Sequence, residues 1–305
     1  MSEISEQIRA AFFASDEARD AGLTTPPEVV RFDDIPYGDD PEQVLDVYRP
    51  RNAGDEVLPV IVSVHGGGWV YGDKERYQYY TMELAKRGFA VVNFTYRLAP
   101  EHRYPAALED TNTVFRWVLE HAEEYGFSPN HVFGVGDSAG AHLLGLYTGL
   151  CTVPEAAARY EFEIPNGFVP RAVALNCGKF RMAEDAADEL TEGLLGEFLP
   201  EGATEEDLRA LDVVDLVTDR YPPVLLMTAN EDFLRGQALI MAGALMEQQV
   251  PFRLDVYGSK AAPLGHVFHC NVRIEAGQRC NDEQCEFFWG LCRELSGAGP
   301  EEAEA

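Results

Sequence analysis

The stretch Gly136-Asp137-Ser138-Ala139-Gly140 decides how the fold of this chain is interpreted. It follows an apolar run at 131–135 and precedes a helical pattern at 139–150. A sharp turn between strand and helix lifts the Ser138 hydroxyl clear of a sheet, and the flanking glycines let neighbouring backbone come close. The same letters also fit a plain glycine-rich turn in which a serine caps a helix. The other parts of a catalytic site therefore decide between the two.

Length and charge narrow the class of protein. The chain has 305 residues, of which 46% are hydrophobic, and it carries a formal net charge of −28. Such a charge repels phosphate backbones and anionic membrane surfaces, so we expect neither nucleic acid nor a membrane as a partner. The N-terminus lacks the basic start and apolar run of a secretory signal. We therefore expect a soluble, cytoplasmic protein, and the sequence is compatible with a homodimer.

The six cysteines contain no C-x-x-C pair. Without an export signal, we expect them to be free, buried thiols. The alternative is a zinc site that combines His266, His269 and Cys270 with the three later cysteines, but these spacings match neither a zinc knuckle nor a zinc ribbon. The sequence therefore predicts no metal and no cofactor.

Apolar strands alternate with amphipathic helices, which predicts an α/β fold with a mostly parallel sheet covered on both faces. The expected strands are 58–64, 89–94, 131–135, 172–176, 224–228 and 252–257, and the expected helices are 77–87, 107–123, 139–150, 237–248 and 281–295. We assign 41–181 and 216–295 to the core. The tail 296–305 is predicted to be disordered.

Two regions interrupt the alternation. Residues 1–40 include a helical pattern at 6–19, and an acidic insertion at 182–215 contains several large apolar side chains. Because those apolar residues need a partner, the two segments could form a cap over the edge of the sheet. The alternative for the insertion is a solvated acidic excursion.

The run His65-Gly66-Gly67-Gly68-Trp69 directly follows an apolar strand. Acyl transfer requires donors for the negative charge that develops on the carbonyl oxygen, and consecutive glycines leave backbone N–H groups uncovered. We therefore predict an oxyanion hole made by the N–H groups of Gly66, Gly67 and Ala139.

A serine nucleophile needs a histidine base, and that base needs an acid. Asp232 follows the strand 224–228, and His266 follows the strand 252–257, so the order serine, acid, histidine is satisfied. Glu231 competes with Asp232 for the role of the acid. His269 competes with His266 for the role of the base.

Taken together, the HGGGW and GDSAG motifs resemble those of the hormone-sensitive-lipase-like branch of the α/β-hydrolases, a family of carboxylesterases. The segments at 96–102, YRLAPEH, and 104–110, YPAALED, extend the resemblance. It implies a small helical cap and a serine esterase with Ser138 as nucleophile, Asp232 as acid and His266 as base. Gly236 stands where the family often has a second aspartate, which weakens the match around Asp232.

The resemblance also suggests the substrate, a small-molecule ester. A pocket near Trp69, Tyr71 and Phe268 implies short acyl groups, acetyl to butyryl, and acetyl groups on polysaccharides are a further candidate. The elbow sequence GDSAGAH, which ends at His142, also resembles that of arylformamidases, so an amidase is an alternative. A non-catalytic binding protein on the same fold is another.

Overall fold

The structure is a computed structural model that describes residues 3–182 and 189–295. Its strands form one sheet in the order β1-β2-β4-β3-β5-β6-β7-β8. The strands from β4 to β8 in that order are parallel, and β1 and β2 pair antiparallel at one edge. The strands are β1 Val29–Pro36, β2 Val44–Pro50, β3 Leu58–Val64, β4 Ala90–Phe94, β5 Phe127–Asp137, β6 Val173–Asn176, β7 Val224–Ala229 and β8 Phe252–Tyr257.

Helices cover both faces of the sheet. Alternate residues of β3 explain why, because Val60 and Val62 join one apolar cluster while Ile61 joins the other. Helices α3, α5 and α9 pack on the first cluster, and α2 and α10 pack on the second. The helices are α1 Glu3–Asp20, α2 Lys74–Lys86, α3 Ala106–Glu120, α4 Ala122–Tyr125, α5 Ala139–Thr152, α6 Pro154–Ala157, α7 Glu189–Phe198, α8 Glu205–Arg209, α9 Arg235–Glu247 and α10 Glu275–Leu295.

The predicted α/β class and mostly parallel sheet are confirmed. The predicted strand 252–257 coincides with β8, whereas the predicted helix 107–123 is divided into α3 and α4 at His121. The antiparallel edge was not predicted, because β1 is largely exposed and polar and gives no apolar run. Since β1 lies within 1–40, the sheet begins before the predicted start of the core.

The N-terminal helix and the insertion meet. Helix α1 contacts α7, and Phe198 at the end of α7 is buried against Trp69. The insertion therefore has an apolar face in contact with the protein. Residues 183–188 of the insertion and the tail 296–305 lie outside the described residues.

Within the residues that the structure describes, no helix is long and apolar enough to span a membrane.

Candidate active site

Ser138 lies in the sharp turn between β5 and α5. Its φ of 53° and ψ of −118° are strained for a residue with a side chain, and its N–H donates to the Asn176 carbonyl at 2.9 Å. A Cβ on Gly136 would lie 2.6 Å from the Gly140 carbonyl oxygen, and one on Gly140 would lie 2.0 Å from that of Val64. The predicted reason for both glycines, the close approach of backbone, is confirmed.

The acid and the base are in direct contact. His266 Nδ1 lies 2.7 Å from Asp232 Oδ1, and the nitrogen donates because an ionised carboxylate can only accept. Glu231 is exposed and accepts a hydrogen bond from Asn230, so it is not the partner of His266. Asp232 therefore occupies the position expected of the acid.

The competing base, His269, lies in the interior. Its ring packs edge-on against Tyr80, and its Nε2 lies 3.4 Å from the side-chain nitrogen of Asn176. Burial lowers the pKa of His269 to about 3, and the neighbouring His266 acts in the same direction. His269 is therefore held neutral behind the site.

The Asp232 carboxylate is buried and accepts three hydrogen bonds. Besides His266, it accepts from the Leu234 N–H at 2.9 Å and the Thr228 hydroxyl at 2.8 Å. Burial acts to raise the pKa of Asp232, but the hydrogen bond and charge of His266, together with these donors, lower it to about 2. The Asp232 carboxylate is therefore an anion throughout the neutral range.

The strand register brings Ser138 beside this pair. Asp137 at the end of β5 is opposite Asn176 at the end of β6, so Ser138 is next to Cys177. The ligand atoms of Cys177, Asp232 and His266 lie within 4.8 Å of one another. In the described part of the chain, which includes both residues, no hydrogen bond joins Ser138 to His266. Such contacts often tighten only when substrate binds.

Left-handed backbone is concentrated around the site. Trp69, Ser138, Cys177 and Val267 have φ values of 64°, 53°, 48° and 50°. These conformations are costly for residues with side chains, above all for β-branched Val267. The surrounding structure therefore fixes the backbone at four places around Ser138 and His266.

The amide of Gly66, one of the predicted oxyanion donors, already has an acceptor in the structure. Its N–H donates to the Tyr77 hydroxyl at 3.0 Å, and that hydroxyl in turn donates to Asp137 Oδ2 at 2.7 Å. The Gly66 amide is therefore occupied, and it ties the glycine loop to the serine turn through Tyr77. Burial raises the pKa of Asp137 to about 6, although the hydrogen bond from Tyr77 acts in the opposite direction.

Three other N–H groups remain for an oxyanion. In the part of the chain that the structure describes, the amides of Gly67, Gly68 and Ala139 have no acceptor. Ala139 is the first residue of α5, so its amide has no acceptor within the helix. Sequence reasoning missed Gly68, although the third glycine of the triplet carries the same signal as the first two.

Trp69, one of the predicted substrate-binding residues, is buried and 4% exposed. Its indole N–H donates to His142 Nδ1 at 3.2 Å, and its ring stacks on Phe198 at 4.7 Å. His142 Nε2 donates to the Leu211 carbonyl at 3.0 Å, and burial lowers the pKa of His142 to about 4. The structure thus gives Trp69 a packing role in place of the predicted one.

The other two predicted pocket residues differ from each other. Phe268 is buried and packs against Tyr257 at 5.2 Å, so it too has a packing role in place of the predicted contact. Tyr71 is half-buried, its hydroxyl donates to Asp16 at 2.8 Å, and its ring meets that of Phe12 edge-on. Of the three, Tyr71 alone is partly open to solvent.

Phe233, an aromatic residue that sequence analysis did not single out, lies against His266, the predicted general base. The Phe233 ring is centred 4.3 Å from that of His266, and the residue is 72% exposed. Its only signal in the sequence was its place directly after Asp232.

Comparison with known proteins identifies the family. A model of the BD-FAE family matches residues 45–238. Esterase LipC of Mycobacterium tuberculosis is 30% identical over 195 residues, which cover 62% of this chain and 43% of the relative. Carboxylesterase NlhH of the same species is 39% identical over 132 residues, 41% of each. The chain thus spans less than half the length of these two relatives.

Solved structures extend the likeness to nearly the whole chain. Esterase B from Lactobacillus rhamnosis has a TM-score of 0.87 and 25% identity, with 97% of each chain covered. The Pyrobaculum calidifontis esterase, at 22% identity, has a TM-score of 0.77 and covers 96% of this chain and 94% of its own. The chain belongs to the BD-FAE family and has the α/β-hydrolase fold, which confirms the resemblance to hormone-sensitive-lipase-like α/β-hydrolases.

Proposed function

We propose that this protein is a serine carboxylesterase that hydrolyses short-chain acyl esters, acetyl to butyryl. Ser138 is the nucleophile, His266 the base and Asp232 the acid. The observation that carries the proposal is the 2.7 Å contact between His266 and a buried Asp232 that accepts two further hydrogen bonds, beside a strained serine turn. The names of the relatives, esterase and carboxylesterase, support the same chemistry.

Each residue has one task in this mechanism. His266 takes the proton from Ser138 as the oxygen attacks the ester carbonyl, and Asp232 stabilises the resulting imidazolium. His266 then gives that proton to the leaving alcohol, which leaves an acyl group on Ser138. Water then attacks the acyl-enzyme through the same proton transfers, which releases the carboxylic acid and restores Ser138. The amides of Gly67, Gly68 and Ala139 hold the negative charge of both tetrahedral intermediates.

Packing around the glycine loop supports the short acyl group. A Cβ on Gly68 would lie 3.1 Å from Leu194 Cδ2, so this leucine of α7 lies directly over the proposed oxyanion donors. Phe198 of the same helix closes over Trp69. In our proposal, α1 and α7 form a cap that leaves little depth for an acyl chain.

Among the residues that the structure describes, no contact favours the amidase alternative. It rested on His142, whose ring is buried and hydrogen-bonded to Trp69 and to the Leu211 carbonyl. We therefore place esters ahead of amides.

Replacing the nucleophile tests the proposal. We expect Ser138→Ala to lower kcat for p-nitrophenyl acetate by about 10⁴-fold or more, because the acyl-enzyme can no longer form. A fluorophosphonate should label the wild type at one site and leave this variant unlabelled. Ser259→Ala, at an exposed serine, is the control and should keep both signals. Turnover by Ser138→Ala at the wild-type rate would refute the assignment.

A series of p-nitrophenyl esters tests the acyl length. We expect kcat/KM to be highest between two and four carbons. A maximum at ten or more carbons would refute the short-chain part and leave the esterase part intact.

A further inference from the structure

Phe233 is an exposed aromatic residue that lies directly beside His266. Single exposed apolar side chains are ordinary on protein surfaces. Here, however, a ring that is 72% exposed lies with its centre 4.3 Å from the ring of His266, tilted by 41°. Its other surface is open to solvent at the mouth of the proposed active site.

The backbone around Phe233 is held firmly. Asp232 Oδ1 accepts hydrogen bonds from both His266 Nδ1 and the Leu234 N–H. One atom therefore positions His266 and also the residue that follows Phe233. The Arg235 N–H donates to the Asp232 carbonyl at 3.2 Å. Phe233 is therefore at the tip of a closed turn. A turn whose backbone is fixed in advance loses less conformational freedom when a ligand stacks on its side chain.

The chemistry of His266 fixes which part of a substrate meets this ring. His266 must lie beside the oxygen of the leaving alcohol, because it gives that oxygen its proton. The acyl part lies on the other side, next to Ser138 and the glycine loop. The group that extends past His266 toward Phe233 is therefore the alcohol part of the ester.

We propose that Phe233 is a specificity-determining residue that stacks on an aromatic ring in the alcohol part of the substrate, so that the preferred substrates are short-chain esters of aromatic alcohols. This inference rests on the proposed esterase function. Aromatic pairs favour stacked or edge-to-face contact beyond the effect of buried area alone. An aromatic alcohol is thus preferred over a saturated one of the same size.

Two acetates of nearly equal size test the proposal. Benzyl acetate and cyclohexylmethyl acetate both release a primary alcohol through one methylene, and they differ mainly in the aromaticity of the ring. We expect the wild type to have a kcat/KM for benzyl acetate about two- to twelvefold above that for cyclohexylmethyl acetate. Phe233→Leu, which keeps an apolar side chain and removes the ring, should bring this ratio close to one.

Two further variants separate stacking from general disturbance. Phe233→Tyr keeps a ring and should keep the ratio. Phe32→Leu removes an exposed ring that packs near Tyr125, away from the site, and should leave both rates unchanged. If Phe233 only shields His266, Phe233→Leu will change the two rates together. An unchanged ratio in that variant, or a wild type that prefers the cyclohexyl ester, would overturn the inference.

Titration of each preparation with a fluorophosphonate counts its reactive Ser138 sites, so the rates are compared per site. Labelling and turnover with an unchanged ratio would overturn only the role of Phe233. The absence of both labelling and turnover in the wild type would overturn the proposed esterase function, and this inference with it.

Discussion

The two sides of the site are built differently. On the acid–base side, two side chains and the Leu234 N–H hold the Asp232 carboxylate. This side is open to solvent, since the His266 side chain is 19% exposed and Phe233 beside it is largely exposed. On the oxyanion side, backbone groups are held under two helices, where Trp69 and Phe198 are buried against each other. In the proposed function, the enclosed side receives the acyl group and the open side receives the alcohol. In that proposal, the shape of the enclosed side restricts the acyl half of the substrate, and the exposed ring of Phe233 selects the alcohol half.

The acid–base side depends most on one carboxylate. Asp232→Asn keeps the size of the side chain but removes the charge that stabilises protonated His266 and sets its tautomer. We expect kcat for p-nitrophenyl acetate to fall by about 10³- to 10⁴-fold. Stopped-flow or steady-state assays on active-site-titrated enzyme measure this.

Glu231→Gln is the matched control, since it changes the adjacent carboxylate, which is exposed. It should alter kcat less than about twofold, as expected for a surface substitution away from the reacting groups. A comparable loss in both variants would mean that the proposed division of roles between the two acids is wrong.

The oxyanion side depends on Tyr77, whose hydroxyl joins the Gly66 amide to Asp137. Tyr77→Phe leaves a buried N–H and a buried carboxyl group without this partner. We expect the free energy of unfolding in urea to fall by about 1–3 kcal/mol. We expect kcat to fall about tenfold, because the neighbouring Gly67 and Gly68 amides lose their fixed position.

Tyr79→Phe removes a hydroxyl from the same helix, where it donates to the Leu23 carbonyl at 2.9 Å. This control should leave kcat near the wild-type value. An unaltered kcat in Tyr77→Phe would show that the bridge supports stability alone.

The two sides should lose stability in different ranges of acidic pH. His142 joins Trp69 to the Leu211 carbonyl, and burial lowers its pKa to about 4. An unfolded histidine binds its proton near pH 6.5, so acidification from 6.5 to 4 favours the unfolded state, by about 3 kcal/mol for a shift of this size. The lowered pKa of Asp232, about 2, has a lower window, because its stabilisation is complete above the unfolded value near 3.9 and is lost as the pH falls toward 2.

His142→Gln can keep both hydrogen bonds and cannot take up the proton. We therefore expect its free energy of unfolding to fall less steeply between pH 6.5 and 4.5 than that of the wild type, with urea unfolding as the measurement. His121→Gln, at a partly exposed ring, is the control. Parallel pH curves for His142→Gln and the wild type would contradict the buried, neutral state of His142.

The sequence predicted what depends on apolar runs and on chain order. The run at 58–64 is buried on both faces and became β3, and Asp232 and His266 followed Ser138 in the required order. It could not show which glycine amide was already occupied, because the acceptor of the Gly66 amide is a hydroxyl on α2. The packing of Trp69 under Phe198 is likewise set by contacts between distant segments. Local pattern was therefore enough to predict the candidate triad residues, whereas contacts between distant segments decide which side chains surround them.

The first helix supports the glycine loop from a distance of about sixty residues. Arg9 of α1 donates to the Val70 carbonyl at 2.7 Å and to the Ala99 carbonyl at 2.9 Å, and it pairs with Glu101 at 2.6 Å. Displacing α1 breaks these contacts together and leaves two backbone carbonyls beside the glycine loop without their cation. A fusion partner or protease that disturbs α1 therefore acts on the loop that follows Gly68. It can change the turnover rate in this way without itself touching Ser138.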